Sequence, residues 1–248
     1  MKTGKMGRLT KDRMGFSMPV AAPLYQKPPY YFTNVESLTV VWETDEEAAL
    51  ELLPDGVELT LPATASIRVN YYPFSTLGVY YEVVLGIACR FNGELRGYTA
   101  FIVLDQDAPF AAGREIWGVA KKMAHIRLVK EMGLYMGTVE RPLGNRLCTV
   151  MVRPQTPADV KNLAWPKAAL HLRLIPSPEE GKPPSIVELV ELPIPTQVHE
   201  LWVGEGSVSF DTKSELDPWY LLEVKRILSA TYARLDLQLE YGRILKRY

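Results

Sequence analysis

The sequence has little of what metal, disulfide and membrane sites require. It contains two cysteines, Cys89 and Cys148, and three histidines, His125, His171 and His199, that are scattered without metal-ligand spacing. Both cysteines lie in apolar runs, so we predict buried thiols rather than a disulfide. No apolar run approaches the ~18 residues that a membrane-spanning helix needs. We therefore expect no metal, no other cofactor and no membrane partner.

Neither sign of charge is in excess. The chain carries 28 Lys and Arg against 29 Asp and Glu, a formal net charge of −1, which implies no nucleic-acid partner. Its N-terminus is basic but has no apolar stretch behind the charges, so it is not predicted to be a secretory signal. Gly-rich phosphate loops, nucleophilic triads and internal repeats are also missing. A cytoplasmic globular protein is the simplest expectation.

What the sequence does contain is a strand pattern. Apolar residues make up 47% of the chain, which allows a sizeable core. Residues 66–72 and 233–243 alternate between apolar and polar positions, and Asn92-Gly93 is typical of a two-residue hairpin turn. The pattern predicts about ten mostly antiparallel strands with two or three helices outside them, in a sandwich or a barrel. The other predicted strands are 38–43, 79–90, 96–104, 125–130, 134–139, 146–152, 169–175, 186–191 and 198–210.

Two helices are predicted from their first residues. Thr44 and Glu47 have the spacing of a capping box, before a helix that stops at Pro54. Asp217 followed by Pro218 predicts the start of the other helix. The buried stripe of that helix is predicted to be Leu221, Val224, Ile227 and Leu228.

The first thirty residues carry few structural signals, and four prolines keep them extended. We predict an N-terminal arm over residues 1–30 that lies over the domain or over a neighbouring subunit. A single domain over residues 31–248 is expected to follow.

A lysine pair, Lys121 and Lys122, ends the stretch GREIWGVAKK among apolar neighbours. A free lysine has a pKa of about 10.4 and is an ammonium at neutral pH. Apolar surroundings and an adjacent cation both favour the neutral amine, which can form a Schiff base with a carbonyl. Neighbours on a strand point to opposite faces, so burial is expected to matter more than Lys122. Most lysine pairs are solvated surface charges, so the pair alone does not show whether Lys121 is catalytic.

The stretch 104–122, LDQDAPFAAGREIWGVAKK, resembles the core motif of the acetoacetate decarboxylase family: a strand, Leu-Asp, then Gly-Arg-Glu and a lysine pair six residues after the glutamate. This family is also the usual example of a lysine activated beside another cation, so the two arguments are not independent. Further similar stretches are PPYYFTNVESLTVVWET at 28–44, LPDG at 53–56 and VHELW at 198–202. The resemblance implies an α+β, mainly β fold, a closed cone-shaped antiparallel β-barrel with a few peripheral helices. It also implies a homo-oligomer, a tetramer or a dodecamer.

By the same resemblance, Lys121 is the nucleophile, Lys122 the neighbouring cation that makes it reactive, and Glu82 a glutamate of the catalytic pocket. From the strand pattern alone, Glu82 could equally be an outward polar residue. Arg114 and Glu115 belong to the Gly-Arg-Glu motif beside the substrate, and we expect them to form an ion pair that orders the loop before the lysines.

Two positions of the substrate site depart from the family pattern. Val35 and Ile67 stand where the family's decarboxylases have an arginine and a second glutamate. Arg68 follows Ile67, but strand alternation is expected to point it to the opposite face. These departures argue against acetoacetate itself as the substrate and leave the lysine unaffected.

The expected partner is a small-molecule keto acid. Three functions are compatible with these residues. The first is decarboxylation of a β-keto acid through an imine and an enamine of Lys121. An alternative is an aldolase-dehydratase that joins a keto acid such as pyruvate to an aldehyde through the same intermediates. A non-catalytic ligand-binding barrel is less favoured, because binding alone needs no nucleophile.

Overall fold

The computed structural model describes residues 4–160, Pro166 and 168–248, and its fold is mainly β. Within these ranges the α-helices are short, α1 over Glu46–Leu52 and α2 over Asp107–Ala112, and no helix is both long and apolar enough to cross a membrane. One π-helical turn spans Gly113–Trp117, and 3-10 turns span Lys11–Arg13 and Trp219–Leu221. The strands are β1 Tyr30–Glu43, β2 Glu58–Leu59, β3 Thr64–Tyr72, β4 Phe74–Ser75, β5 Tyr80–Phe91, β6 Glu94–Leu104, β7 Lys121–Met123, β8 His125–Glu131, β9 Leu134–Glu140, β10 Arg146–Pro157, β11 Ala168–Ile175, β12 Ile186–Pro193, β13 Thr196–Phe210, β14 Arg226–Leu239 and β15 Arg243–Arg247.

These strands form one sheet, and its path of hydrogen-bonded neighbours is β15-β12-β11-β6-β5-β3-β1-β14-β13-β10-β9-β8. The pairings are antiparallel except those of β6 with β7 and with β11. The predicted mainly β, mostly antiparallel fold is therefore confirmed. Among the described residues no pairing joins β15 to β8. The closure of the sheet into a barrel stays a prediction.

Strand pairing sets which residues share a face around β7. Asn70 of β3 is the register partner of Glu82 on β5, and Glu82 pairs with Leu104 of β6. Ile102, two residues before Leu104, pairs with Lys121 of β7. Directly paired side chains lie on one face, and successive side chains alternate between faces. Lys121 and Glu82 therefore share a face, which we call the lysine face.

Each face of this part of the sheet has its own apolar cluster. On the lysine face, Ile102 and Leu104 pack in a cluster with the loop residues Trp117 and Val119. On the opposite face, Val103 packs in a second cluster. Both clusters are almost fully buried, so Glu82 and Lys121 on the lysine face lie in a low-dielectric region.

Helix α1 begins one residue later than predicted. Asp45, rather than Thr44, is its N-cap, and the Asp45 carboxylate accepts a hydrogen bond from the backbone N of Ala48 at 3.1 Å. Thr44 is held by the sheet instead, because its backbone N donates to the carbonyl of Ala63. The Asp45 carboxylate thus satisfies a backbone N–H of the first turn, which is the role predicted for the Thr44 hydroxyl.

The prediction of a helix after Asp217 is wrong. The chain makes one 3-10 turn, Trp219–Leu221, and then enters β14, which contains Ile227 and Leu228. The long pairing of β14 with β1, in which Ile227 is opposite Trp42, outweighs the helical pattern of the apolar residues. The carboxylate of Asp217 is engaged elsewhere in ion pairs, as described below.

The other predicted strands lie within observed ones, except that the strand predicted over 79–90 starts one residue before β5. The strand predicted over 233–243 is correct only in its first part, since β14 ends at Leu239 and β15 begins at Arg243. Asn92 and Gly93 both have positive φ in the β5–β6 turn, as the hairpin prediction requires. Cys89 and Cys148 are buried free thiols, as predicted.

The segment before β1 is tied to the domain near its end. Tyr25 is buried in the apolar cluster of the lysine face, and its hydroxyl donates a hydrogen bond to Glu115. Residues 1–3 lie outside the described ranges. The division of the chain into an arm and a domain at residue 30 stays a prediction.

Candidate active site

Lys121 is a buried lysine whose amine meets one carboxylate. Its Nζ lies 2.9 Å from Oε2 of Glu82, and the two side chains are each 8% exposed. Nζ also donates a hydrogen bond to the carbonyl oxygen of Pro109 at 3.0 Å. The amine is therefore held between an anion and a carbonyl, with little water around it.

Glu82 is held from its other oxygen by a chain of hydrogen bonds. The hydroxyl of Tyr72 donates to Glu82 Oε1 at 3.0 Å. Asn70 donates from Nδ2 to the Tyr72 hydroxyl oxygen, and Ser37 donates from its hydroxyl to Asn70 Oδ1. Burial and the charge of Glu82 raise the pKa of Tyr72 well above its ordinary value, so the phenol stays a donor. The carboxylate is fixed in orientation toward Lys121.

The structure corrects the assignment of Ile67 and Arg68. Arg68 pairs with Val84, two residues from Glu82 on β5, so Arg68 lies on the lysine face. Ile67 is fully buried in the cluster of the opposite face. Alternation was predicted correctly, but the register with β5 puts the arginine rather than the isoleucine beside Glu82.

Arg68 is a partly buried cation that acts on the same groups. Burial lowers the pKa of its guanidinium, while the interactions with Tyr72 and Glu82 raise it. Sequence reasoning missed Arg68 as a site residue. The signal that finds it is the two-residue spacing from Asn70, once Asn70 is known to pair with Glu82.

Val35 lies on the lysine face, as expected for a residue of the site. It is fully buried and belongs to the apolar cluster that contains Ile102, Leu104 and Trp117. An apolar side chain thus contributes to this wall, and it adds no charge to the site.

The Gly-Arg-Glu stretch shapes the space around Lys121. A Cβ at Gly113 would lie 2.7 Å from Cε of Lys121, so a larger residue at this position would displace the lysine stem. Gly118 ends the π-helical turn with φ +73°, and a Cβ there would lie 2.2 Å from Cα of Arg173. Both glycines are needed for the loop to pack against β7 and β11.

Arg114 and Glu115 do not pair with each other as predicted. Arg114 donates from Nη1 to the carbonyl of Lys121 at 3.1 Å. Glu115 accepts a hydrogen bond from the hydroxyl of Tyr25. Consecutive residues of a helical turn point in different directions, so each finds its own partner. Arg114 fixes the backbone of the lysine, and Glu115 ties the loop to the segment before β1.

Lys122 lies on the other side of β7. It pairs with Val103 of β6, and its Nζ lies 2.9 Å from Oδ1 of Asp217 and donates to the carbonyl of Leu216. Arg141 donates from Nε to the second oxygen of Asp217 at 2.9 Å. Lys122 is thus paired by a buried carboxylate away from Glu82, and the structure does not bring it together with Glu82 and Lys121.

His171 is a third titratable group near Lys121. It is 4% exposed, and burial followed by the positive charge of Lys121 lowers its pKa to about 3. The imidazole is therefore neutral at physiological pH. Within the described ranges, no group of three or more His, Cys, Asp and Glu side chains is arranged to hold a metal ion.

A shallow depression of about 390 Å³ elsewhere, lined by Pro157–Val160 and Val198–Leu201, contains none of these residues. The arrangement around Lys121 combines a buried amine, a carboxylate at contact distance and a partly buried guanidinium on the same face. Such a set can bind an anion and add an amine to a carbonyl.

Comparison with known proteins shows the family of the chain. The family model described as "Acetoacetate decarboxylase (ADC)" matches residues 17–248. The chain is 30% identical over 243 residues to acetoacetate decarboxylase 1 of Bradyrhizobium diazoefficiens, covering 95% of this chain and 94% of that one.

Solved structures show the same fold. The crystal structure of acetoacetate decarboxylase from Legionella pneumophila matches with a TM-score of 0.86 at 28% identity, covering 100% of this chain and 99% of that one. The enduracididine biosynthesis enzyme MppR, solved in complex with pyruvate, matches in fold with a TM-score of 0.79 at 20% identity, covering 95% and 99%. The chain therefore belongs to the acetoacetate decarboxylase family of enzymes.

Proposed function

We propose that the protein is a Schiff-base-forming decarboxylase of a β-keto acid, with Lys121 as the nucleophile. The observation that carries this proposal is the contact of the buried Lys121 amine with Glu82 at 2.9 Å. A closed cone-shaped barrel, which would complete the wall around the amine, is part of the proposal.

The contact supplies a route for the proton that Lys121 must lose. Glu82 takes one proton from the ammonium, and the neutral amine attacks the ketone carbon and opens the C=O bond. The resulting carbinolamine oxygen takes one proton from the nitrogen and one from Glu82, and it leaves as water. The product is a protonated imine that carries the charge of the original ammonium, and Glu82 is a carboxylate again.

The iminium then accepts the electron pair of the C–C bond to the carboxylate. Carbon dioxide leaves, and an enamine forms on Lys121. The enamine carbon takes a proton, and water hydrolyses the imine to release the ketone and the amine. The buried surroundings favour the loss of carbon dioxide, because the carboxylate of the substrate loses its charge as the C–C bond breaks.

Arg68 supports a carboxylate-bearing substrate. Arg68 lies on the lysine face, where the charges of Arg68 and of Lys121 both act on Glu82. A guanidinium on the face that carries the amine suits a ligand with a carboxylate, because the two groups form charge-assisted hydrogen bonds. We assign Arg68 the binding of the substrate carboxylate, in place of the arginine expected at position 35.

A second candidate is an aldolase-dehydratase that uses the same imine and enamine on a keto acid such as pyruvate plus an aldehyde. It is favoured by Val35, an apolar residue of the lysine face at the position where an arginine was expected. MppR, which shares the fold, is described in complex with pyruvate. The two reactions differ after the imine, so the products separate them.

We further propose that the protein works as a homo-oligomer, a tetramer or a dodecamer. Large apolar side chains of the segment before β1 are exposed, among them Met6, Met18 and Leu24. Contact with neighbouring copies would cover them. Light scattering of the full chain measures the mass, and a monomer at micromolar concentration would contradict this proposal.

The test of the function is borohydride trapping. The protein is incubated with acetoacetate, or with pyruvate and an aldehyde, reduced, and the adduct is located by peptide mass. We expect an adduct on Lys121 and release of carbon dioxide from the β-keto acid. Release of a condensed product without carbon dioxide would favour the second candidate, and no adduct with any keto acid would overturn both.

Arg68 is tested by a matched pair of variants. Arg68→Met is expected to raise the KM for the keto acid about tenfold or more, because the cation that holds the carboxylate is lost. Ile67→Val, its neighbour on the opposite face, is the control and should leave the KM within about twofold, since a methylene is removed far from the site. Equal effects of the two variants would contradict the role of Arg68.

A further inference from the structure

His171 lies on the lysine face of the sheet. It belongs to β11, which, like β7, pairs with β6 in parallel. Leu170 of β11 pairs with Tyr98 of β6 and packs in a separate apolar cluster with it. His171, the next residue, therefore points to the other side of β11. It is opposite Val190 of β12, and Val190 belongs to the cluster of the lysine face.

The imidazole has one nitrogen with nothing to bond. The Nδ1 atom of His171 is buried, and among the described residues it has no hydrogen-bond partner. A buried polar atom without a partner costs free energy that the fold must offset, and such atoms are rare in native interiors. A bound molecule that supplies the missing partner removes this cost.

The charge state of His171 limits which chemical group of a bound molecule can be its partner. The low pKa of His171 keeps its imidazole neutral, in part because the Lys121 ammonium acts on it. A neutral imidazole can donate from one ring nitrogen and accept at the other, but it is a poor acid and a poor base. It therefore suits an oxygen that changes from carbonyl to hydroxyl to water, and it moves no proton itself.

We propose that His171 is a further substrate-contacting residue of this site and that its Nδ1 atom forms a hydrogen bond to the oxygen of the keto group that Lys121 attacks. This inference rests on the proposed function for the identity of the oxygen. The polar wall provided by His171 lies on β11, which is distinct from the strands that supply Glu82 and Arg68. The reacting oxygen thus has a partner that carries no charge of its own.

The alternative is a histidine that only fills the core. A matched set of variants distinguishes the two. His171→Leu keeps bulk and removes both nitrogens, His171→Gln keeps a hydrogen-bonding group, and Leu170→Ala damages the same strand on its opposite face. We expect kcat/KM to fall about tenfold or more in His171→Leu and to recover largely in His171→Gln. Leu170→Ala should lower the melting temperature and leave kcat/KM within about twofold.

A spectroscopic arm does not depend on catalysis. The chain has three histidines, so the ring ¹⁵N signals of His171 are assigned by their loss in His171→Gln. In Lys121→Met, which cannot form an imine, saturating acetoacetate or pyruvate should shift the His171 Nδ1 signal while the other two histidines stay unchanged. This arm also decides the inference if His171→Leu does not fold.

The outcomes are separable from those of the proposed function. Absence of a Lys121 adduct in the unmodified protein would reject the Schiff-base function, whatever happens at His171. No shift of the His171 Nδ1 signal with either keto acid would overturn the inference, even if Lys121 forms its adduct. A loss of kcat/KM in His171→Leu no larger than that in Leu170→Ala would overturn it as well.

Discussion

Lys121 and Lys122 are adjacent in the chain, yet they lie in two different regions of the molecule. Each amine is 2.9 Å from a carboxylate. The side chains of Lys121 and Glu82 are each 8% exposed, whereas Lys122 is 40% exposed against 3% for its partner Asp217. The distance is the same, but water reaches the second amine and scarcely reaches the first.

The difference shows what makes a lysine a candidate nucleophile. An ion pair at one distance has a very different energy in water and in a buried region, because the dielectric differs. The charge of Lys122 is matched by Asp217, which Arg141 also contacts, on the opposite side of β7 from Glu82. We therefore attribute the reactivity proposed for Lys121 to its buried site and to Glu82, and not to the neighbouring cation.

The two lysines are expected to differ most clearly when each is removed in turn. Lys121→Met should abolish the borohydride adduct and lower turnover by about 10⁴-fold or more, about 5.5 kcal/mol in the barrier, because the nucleophile is gone. Lys122→Met should keep the adduct and lose less than about tenfold. Mass analysis of the reduced protein and steady-state rates measure both. A similar loss in the two variants would show that Lys122 acts on the chemistry directly.

The two carboxylates provide the next test. Glu82→Gln should lower turnover about 100-fold, about 2.7 kcal/mol, because glutamine keeps the Tyr72 hydrogen bond but cannot take the proton of Lys121. Asp217→Asn makes the same change beside Lys122 and should stay within about threefold. If Glu82→Gln also stays within about threefold, roughly 0.7 kcal/mol, then Glu82 is only a polar residue of the strand.

A pH titration of stability sharpens the contrast between the buried and the wetted regions. The pKa of His171 is about 3 when folded and 6.5 when unfolded, so below pH 6.5 the unfolded chain binds a proton that the folded chain does not. Stability from this group is therefore full above pH 6.5 and falls as pH drops toward 3. Between pH 7 and 4.5 the loss is about 2–3 kcal/mol.

Urea unfolding at the two pH values measures this term. His171→Gln should lose less stability on acidification than the unmodified protein, by that amount. His125→Gln, at an exposed position, is the control for the loss of an imidazole. The same acid-induced loss in His171→Gln as in the unmodified protein would contradict a buried neutral imidazole.

The smallest expected effect lies on the Lys122 side. Asp217→Asn should lower the free energy of unfolding by about 1–2 kcal/mol, because a nearly buried carboxylate no longer matches Lys122 and Arg141. The figure is discounted because the two cations are 40% and 30% exposed, and water screens them. Denaturant titration at low and high salt tests this, and a cost above about 4 kcal/mol would show that this pair is as dry as the first.

Much of this protein could be predicted from its sequence. Period-two alternation and the Asn92-Gly93 turn predicted the strands around the site, because side-chain alternation and positive-φ turns are local properties. The GREIWGVAKK stretch indicated the lysine, and Gly113 and Gly118 proved necessary for its packing. Alternation at the pair itself predicted that Lys121 and Lys122 would lie on opposite faces.

Pairing between distant strands decided the rest. The sequence by itself determined that Ile67 and Arg68 lie on opposite faces of a strand, but only the register of β3 with β5 decided that Arg68 is the one beside Glu82. In the same way, the partners of Asp217 and the surroundings of His171 come from elements far away in sequence. A local pattern fixes the direction of a side chain relative to its neighbours, whereas which groups it meets depends on long-range pairing that no local pattern contains.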